Sequence, residues 1–135
     1  MTWYGKAKEI AREYIHNTKE LAAIREGEPG GGGGGPRGKG KPSRPTEEAA
    51  MRALVSERAA YLERATRAVE YAMERVLEKP NGYETIKLYR MVYEKKTHSL
   101  TGAALELHVA YETAKRWNRY FLRVIAERMG YIARR

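Results

Sequence analysis

Seven side chains between positions 111 and 123 could do recognition chemistry together: Tyr111, Glu112, Thr113, Lys115, Arg116, Arg119 and Arg123. Their spacing returns most of them to one side of an α-helix. A helix offering that side to the major groove of double-stranded DNA would use its first turns on base edges. Arg116 could bond bidentately to guanine, Glu112 could accept from a cytosine amino group, and Tyr111 or Thr113 could touch a thymine methyl. Lys115, Arg119 and Arg123 lie toward the flanks and suit phosphates. The alternative is an ordinary solvated helix face, since Lys and Arg are common on exposed helices.

A reading helix needs a partner that sets its angle. Residues 100–123 meet the mechanical needs of a helix-turn-helix: small or apolar residues at the helix contact, a bend, and a polar outward face on the second helix. Ala103 and Ala104 supply the small contact and Leu107 closes it. Val109 plugs the gap after the turn, and Ala114, Trp117 and Phe121 form the inward side of the second helix. His108 stands where glycine is usual, and His is among the few residues enriched at positive φ. Ala110 stands where a capping Ser is usual, at a cost on the order of 1 kcal/mol.

The remaining elements are also helical by pattern, so the expected fold is all-α. In residues 1–26, Trp3, Ala7, Ile10, Tyr14, Asn17, Leu21 and Ile24 recur at helical spacing, which predicts one amphipathic helix over 2–26. Asn17 on that stripe could fix a coiled-coil register, or the helix could pack on its own chain with Asn17 at the edge. Residues 27–45 are a flexible Gly/Pro linker by composition. Its Arg37, Lys39, Lys41 and Arg44 could enter a minor groove or simply keep a tether soluble.

Residues 46–80 form a long helix, with Thr46 as cap and Glu47 and Glu48 in the first turn. Its expected stripe is Met51, Val55, Leu62, Ala65, Val69, Ala72 and Val76, with Arg58 standing where an apolar residue belongs. A rod of that length must pack along the first helix, along a second copy of itself, or both, making residues 46–80 a candidate homo-oligomer contact. Residues 81–135 form the terminal domain. Asn81 and Glu84 suggest a capping box opening a helix over about 83–96. There Ile86, Tyr89 and Tyr93 share one face, and Leu88, Met91 and Val92 a second. The tyrosines are expected in the core, although beside Arg90, Lys95 and Lys96 they could stack on bases.

Charge agrees with this division. The net +9 splits into +1 over residues 1–26, +3 over 27–45, −1 over 46–80 and +6 over 81–135. A near-neutral middle beside a basic end reads as a packing element joined to a polyanion-binding element. The 135 residues contain no cysteine, so disulfides and thiolate metal sites are excluded. No apolar run could span a bilayer, and the N-terminal residues lack a signal-peptide stretch. A cytoplasmic protein with no membrane contact is therefore expected. His16, His98 and His108 have no metal-ligand spacing, and the 30–35 glycine run lacks the strand and the Lys-Ser/Thr of a phosphate loop. No catalytic residue, cofactor, metal or small-molecule substrate is expected.

With these residues in hand, the chain resembles the RinA-like phage transcriptional activators, which share a sigma-region-4-like helix-turn-helix with the ArpU-type late regulators. The resemblance is carried by Tyr14-Ile15-His16-Asn17-Thr18-Lys19, the Gly-rich break and the Pro45-Thr46-Glu47 helix start. It continues in Tyr111-Glu112-Thr113-Ala114-Lys115-Arg116-Trp117 and Ile125-Ala126-Glu127-Arg128-Met129-Gly130. The long glycine tract and His108 depart from the family pattern. The resemblance implies activation of phage late genes through promoter DNA, with host RNA polymerase as a partner. Two rival readings stand beside it. One is a phage small terminase subunit recognising viral DNA for packaging. The other is a non-enzymatic helical protein whose basic end binds acidic partners.

Overall fold

The computed structural model describes residues 2–27 and 45–133, and every element among them is helical. The helices are α1 (Trp3–Arg12), α2 (Tyr14–Gly27), α3 (Pro45–Leu77), α4 (Gly82–Tyr89), α5 (Leu100–Glu106) and α6 (Tyr111–Arg128). A π-helical turn, Arg90–Glu94, continues α4. The expected linker, with Arg37, Lys39, Lys41 and Arg44, lies outside the described residues.

The single helix expected over 2–26 is two. Glu13 separates them at φ −94° and ψ 5°, although hydrogen bonds continue on both sides, from Glu13 N to Glu9 O and from Asn17 N to Glu13 O. The bend has a packing cause. α1 lies mainly against α6 whereas α2 lies against α3, and one straight rod cannot follow both. The apolar stripe nonetheless faces inward, with Ala7, Ile10, Asn17 and Leu21 buried and Trp3, Tyr14 and Ile24 half-buried. Asn17 is therefore used in packing within the chain.

α3 begins at Pro45, whose missing N–H costs nothing in a first turn, so Thr46 sits inside the helix and is not its cap. Leu62, Ala65, Val69, Ala72 and Val76 are buried as the stripe requires. Met51 and Val55 are not: they are 62% and 44% exposed, and neighbouring Leu54 is 60% exposed. The first turns of α3 extend past the core, where Ala23, Ile24 and Gly27 of α2 lie beside Met51 and Val55. Arg58 explains its own place in the stripe by forming a two-pronged pair with Glu20 of α2, Nε to Oε2 at 2.8 Å and Nη2 to Oε1 at 2.9 Å. The Tyr14 hydroxyl donates to Glu70 at 2.8 Å, a second polar tie between α2 and α3.

The turn into α4 is held without a side-chain cap from Asn81. Asn81 makes no side-chain cap bond, so the expected capping box is absent; the Thr85 amide and hydroxyl both donate to Asn81 O instead. Gly82 is required by closeness. A Cβ there would lie 2.5 Å from Val76 O and 2.7 Å from Leu77 Cα. Helix geometry then widens at Arg90–Glu94, closed by Lys95 N to Arg90 O at 2.7 Å, so the expected α-helix over 83–96 is corrected. The wider turn lets Tyr89 and Tyr93 enter one core while Leu88 and Met91 enter another, with Val92 packed against both. Both tyrosines are fully buried, so neither is available to stack on bases.

α6 organises the whole. Its Phe121, Leu122, Val124, Ile125 and Ala126 join Ala7, Ile10 and Ala11 of α1 and Ala65 to Val76 of α3 in the main core. Asn118, also buried, ties three elements together. It accepts from the Tyr93 hydroxyl at 2.6 Å and donates to the Tyr4 hydroxyl at 2.9 Å. The Tyr89 hydroxyl, by contrast, is buried without a hydrogen-bond partner among the described residues.

These contrasts give two tests. Asn118→Ala should cost about 1–3 kcal/mol in denaturant unfolding by stranding the Tyr93 hydroxyl, whereas Tyr89→Phe should leave stability equal or raise it by about 1 kcal/mol. Stability should also fall in alkali. Burial raises the Tyr89 and Tyr93 pKa values well above the ordinary value, and burial together with Glu70 pushes Tyr14 up to about 12. Above pH ~10 the unfolded chain releases these protons while the folded chain keeps them, so folded stability is complete below pH ~10. It is then lost at about 1.4 kcal/mol per pH unit for each buried tyrosine, which unfolding curves between pH 9 and about 12 would read out.

Candidate nucleic-acid interface

α5 and α6 meet across a second small core in which Ala103, Ala104 and Ala114 are buried against Leu88. Leu107, Val109 and Trp117 pack around it, half-buried. Alanines at the contact let the two backbones approach closely. Ser99 caps α5, its Oγ accepting from Gly102 N at 3.1 Å, a cap the sequence reading did not name.

The turn between the helices is closed by backbone bonds. His108 N donates to Leu105 O and Val109 N to Ala104 O, with His108 at φ 59°. This is the Schellman pattern, in which the residue after the C-cap takes the left-handed conformation and an apolar residue follows it. α6 ends the same way: Gly130, at φ 79°, donates to Glu127 O, and Tyr131 N donates to Ala126 O. One motif thus occurs twice, once with glycine and once with histidine. His108 is exposed and Ala110, the N-cap of α6, provides no side-chain bond.

Beyond that turn, at about 100° per residue, Glu112, Arg116 and Arg123 fall on the side of α6 opposite its buried stripe; Arg119 lies at the edge of that stripe, and Lys115 shares the sector of Leu122 and Ala126 but is exposed in the first turns of the helix. Tyr111, Glu112, Lys115, Arg116 and Arg119 are exposed; Thr113 and Arg123 are half-buried. Their immediate partners differ. Lys115 lies 3.8 Å from Glu112 and over the Tyr111 ring, at 5.4 Å, so the first turn of α6 is a small mixed-charge cluster. Arg119 stacks on Trp3 of α1 at 5.2 Å, a contact between distant parts of the chain that no local pattern announces. Arg123 donates to Glu127 at 3.3 Å, one turn further along the helix.

Arg116 lines a cavity of about 290 Å³ with Lys79, Asn81, Thr85, Trp117 and Tyr120. The sequence reading missed Lys79, in the turn after α3, and Arg75 and Tyr71 within α3. The spacing of four between Tyr71 and Arg75 was the available signal that these two share one side of α3. Among the described residues no three His, Asp or Glu side chains converge as a metal site would require.

No known family model, curated protein or solved structure matches the chain.

The turn yields a direct test. His108→Gly should raise the thermal midpoint by relieving a left-handed non-glycine residue worth about 1 kcal/mol, and Ala110→Ser should add a similar amount by capping α6. His108→Val should do the reverse.

Proposed function

We propose that this chain is a sequence-specific double-stranded-DNA-binding protein, with α5 and α6 acting as a helix-turn-helix and α6 as its reading helix. The supporting observation is the exposed set Glu112, Lys115, Arg116 and Arg119 in the first turns of α6, presented just after a tight turn, with Glu112 and Arg116 opposite the side of the helix that is buried. Phosphates would draw this basic end to DNA, and the first turns of α6 would meet base edges. Arg116 is the side chain placed for guanine, with Glu112, Tyr111 and Thr113 as its neighbours in the groove. Lys115, Arg119 and Arg123 would hold the backbone on either side.

The resemblance to the RinA-like and ArpU-type activators extends this reading to a regulator of phage late genes. Such a protein would work at the nucleoid of the bacterial host and contact host RNA polymerase. A second reading is favoured by the exposed Met51, Leu54 and Val55, which suit self-association through α3. In that reading the same helices recognise viral DNA within a small terminase ring. Solution mass separates the two, a monomer or dimer supporting the regulator and a closed ring the packaging role.

The test of DNA reading is a pair of substitutions measured against one preferred and several unrelated duplexes. Arg116→Ala should lose about 1–3 kcal/mol of discrimination between them. Lys115→Ala should weaken all of them similarly and flatten the salt dependence by about one ion. An Arg116→Ala protein with undiminished preference would remove α6 as the reading element.

A further inference from the structure

On the flank of α6 away from α1, a cleft runs between α6 and α3. Its larger cavity, about 430 Å³, is lined by Tyr71 and Arg75 of α3 and by Tyr120, Arg123, Glu127 and Arg128 of α6, and it shares Tyr120 with the cavity beside Lys79 and Arg116. The cations here lie on rings. The Arg128 guanidinium is 4.3 Å from the centre of the Tyr71 ring, Arg75 is 5.8 Å from the same ring, and Lys79 Nζ is 4.5 Å from the Tyr120 ring. Arg75 also donates to the Tyr71 hydroxyl at 3.0 Å.

Two carboxylates are close by. Glu127 accepts from Arg123, and the well-exposed Glu78 lies 3.6 Å from Arg75 Nε. Five cations therefore face two anions. Laid on the Tyr71 face, the Arg128 guanidinium keeps its N–H edge free for an anion and loses little freedom when one arrives, while Arg75 is held in place by the Tyr71 hydroxyl and Glu78. The cleft is thus both positive and pre-ordered, which a merely solvated basic surface is not.

We propose that this cleft is a second phosphate-binding surface, holding the backbone of the duplex beside the segment met by the first turns of α6. It rests on the DNA reading above. Arg116 and Arg128 are twelve residues apart on one helix, roughly 18 Å along its axis. That is less than one duplex turn of about 34 Å, so a single duplex can reach both ends. Arg75, Lys79 and Arg128 then add phosphate contacts that carry no sequence preference.

The experiment compares the full-length protein with Arg75→Gln/Arg128→Gln and Arg75→Lys/Arg128→Lys. Each is titrated with a duplex of about 30 base pairs over roughly 50–200 mM salt, and with inorganic tripolyphosphate. The Gln pair should bind duplex on the order of tenfold more weakly, with a log–log salt slope shallower by about two, and should keep the sequence preference of the parent. The Lys pair, which retains both charges, should keep most of the slope. If the Gln pair does not fold by circular dichroism, Arg128→Gln alone should make the slope shallower by about one. An unchanged slope in a parent that binds duplex overturns the cleft and leaves the DNA reading standing. A parent that binds no duplex at roughly 50 mM salt overturns both. Tripolyphosphate bound more tightly than duplex would assign the cleft to a free polyphosphate and overturn the proposal.

Discussion

Burial of one side of α6 is the constraint on which the rest of the molecule depends. Phe121, Leu122 and Ile125 are sealed between α1 and α3, and Ala114 is sealed against α5. Because the buried arc is wide, little of the circumference of α6 is left to solvent, and Glu112 and Arg116 are set on the side away from the core. Asn118 reinforces this with hydrogen bonds that fix the rotation of α6 against both Tyr4 and Tyr93.

The same constraint makes sense of the irregular places. α1 must leave the line of α2 at Glu13 to reach α6, and the π-helical turn lets Tyr89 and Tyr93 serve one core and Leu88 and Met91 another. The left-handed His108 lets α5 fold back on Ala114 within a turn of very few residues. Each irregularity lies where one segment must satisfy two packing partners. The first turns of α3 face no such demand, and their Met51, Leu54 and Val55 remain exposed.

Much of the all-α architecture was legible because periodicity survives local distortion. The stripe from Trp3 to Ile24 faces inward although the helix bends within it, and Leu62 to Val76 are buried as their spacing requires. The bend at His108 and the uncapped Ala110 were legible too, since both follow from residue types at a turn. What periodicity could not show was the partner. Arg58 looked like a fault in a stripe and is the mate of Glu20; Arg119 looked like a free phosphate ligand and rests on Trp3. The cleft of Tyr71, Arg75 and Tyr120 needs two helices side by side, and neither sequence segment contains it alone.

The central claim is that α6 reads base sequence. Selection of bound duplexes from a random pool, carried out with the full-length protein, tests it most directly. A defined motif of a few consecutive base pairs, containing guanine contacted by Arg116 and flanked by positions of no preference, is the expected result. Retention of the pool with no enriched motif would contradict the claim and leave a polyanion-binding protein without sequence readout.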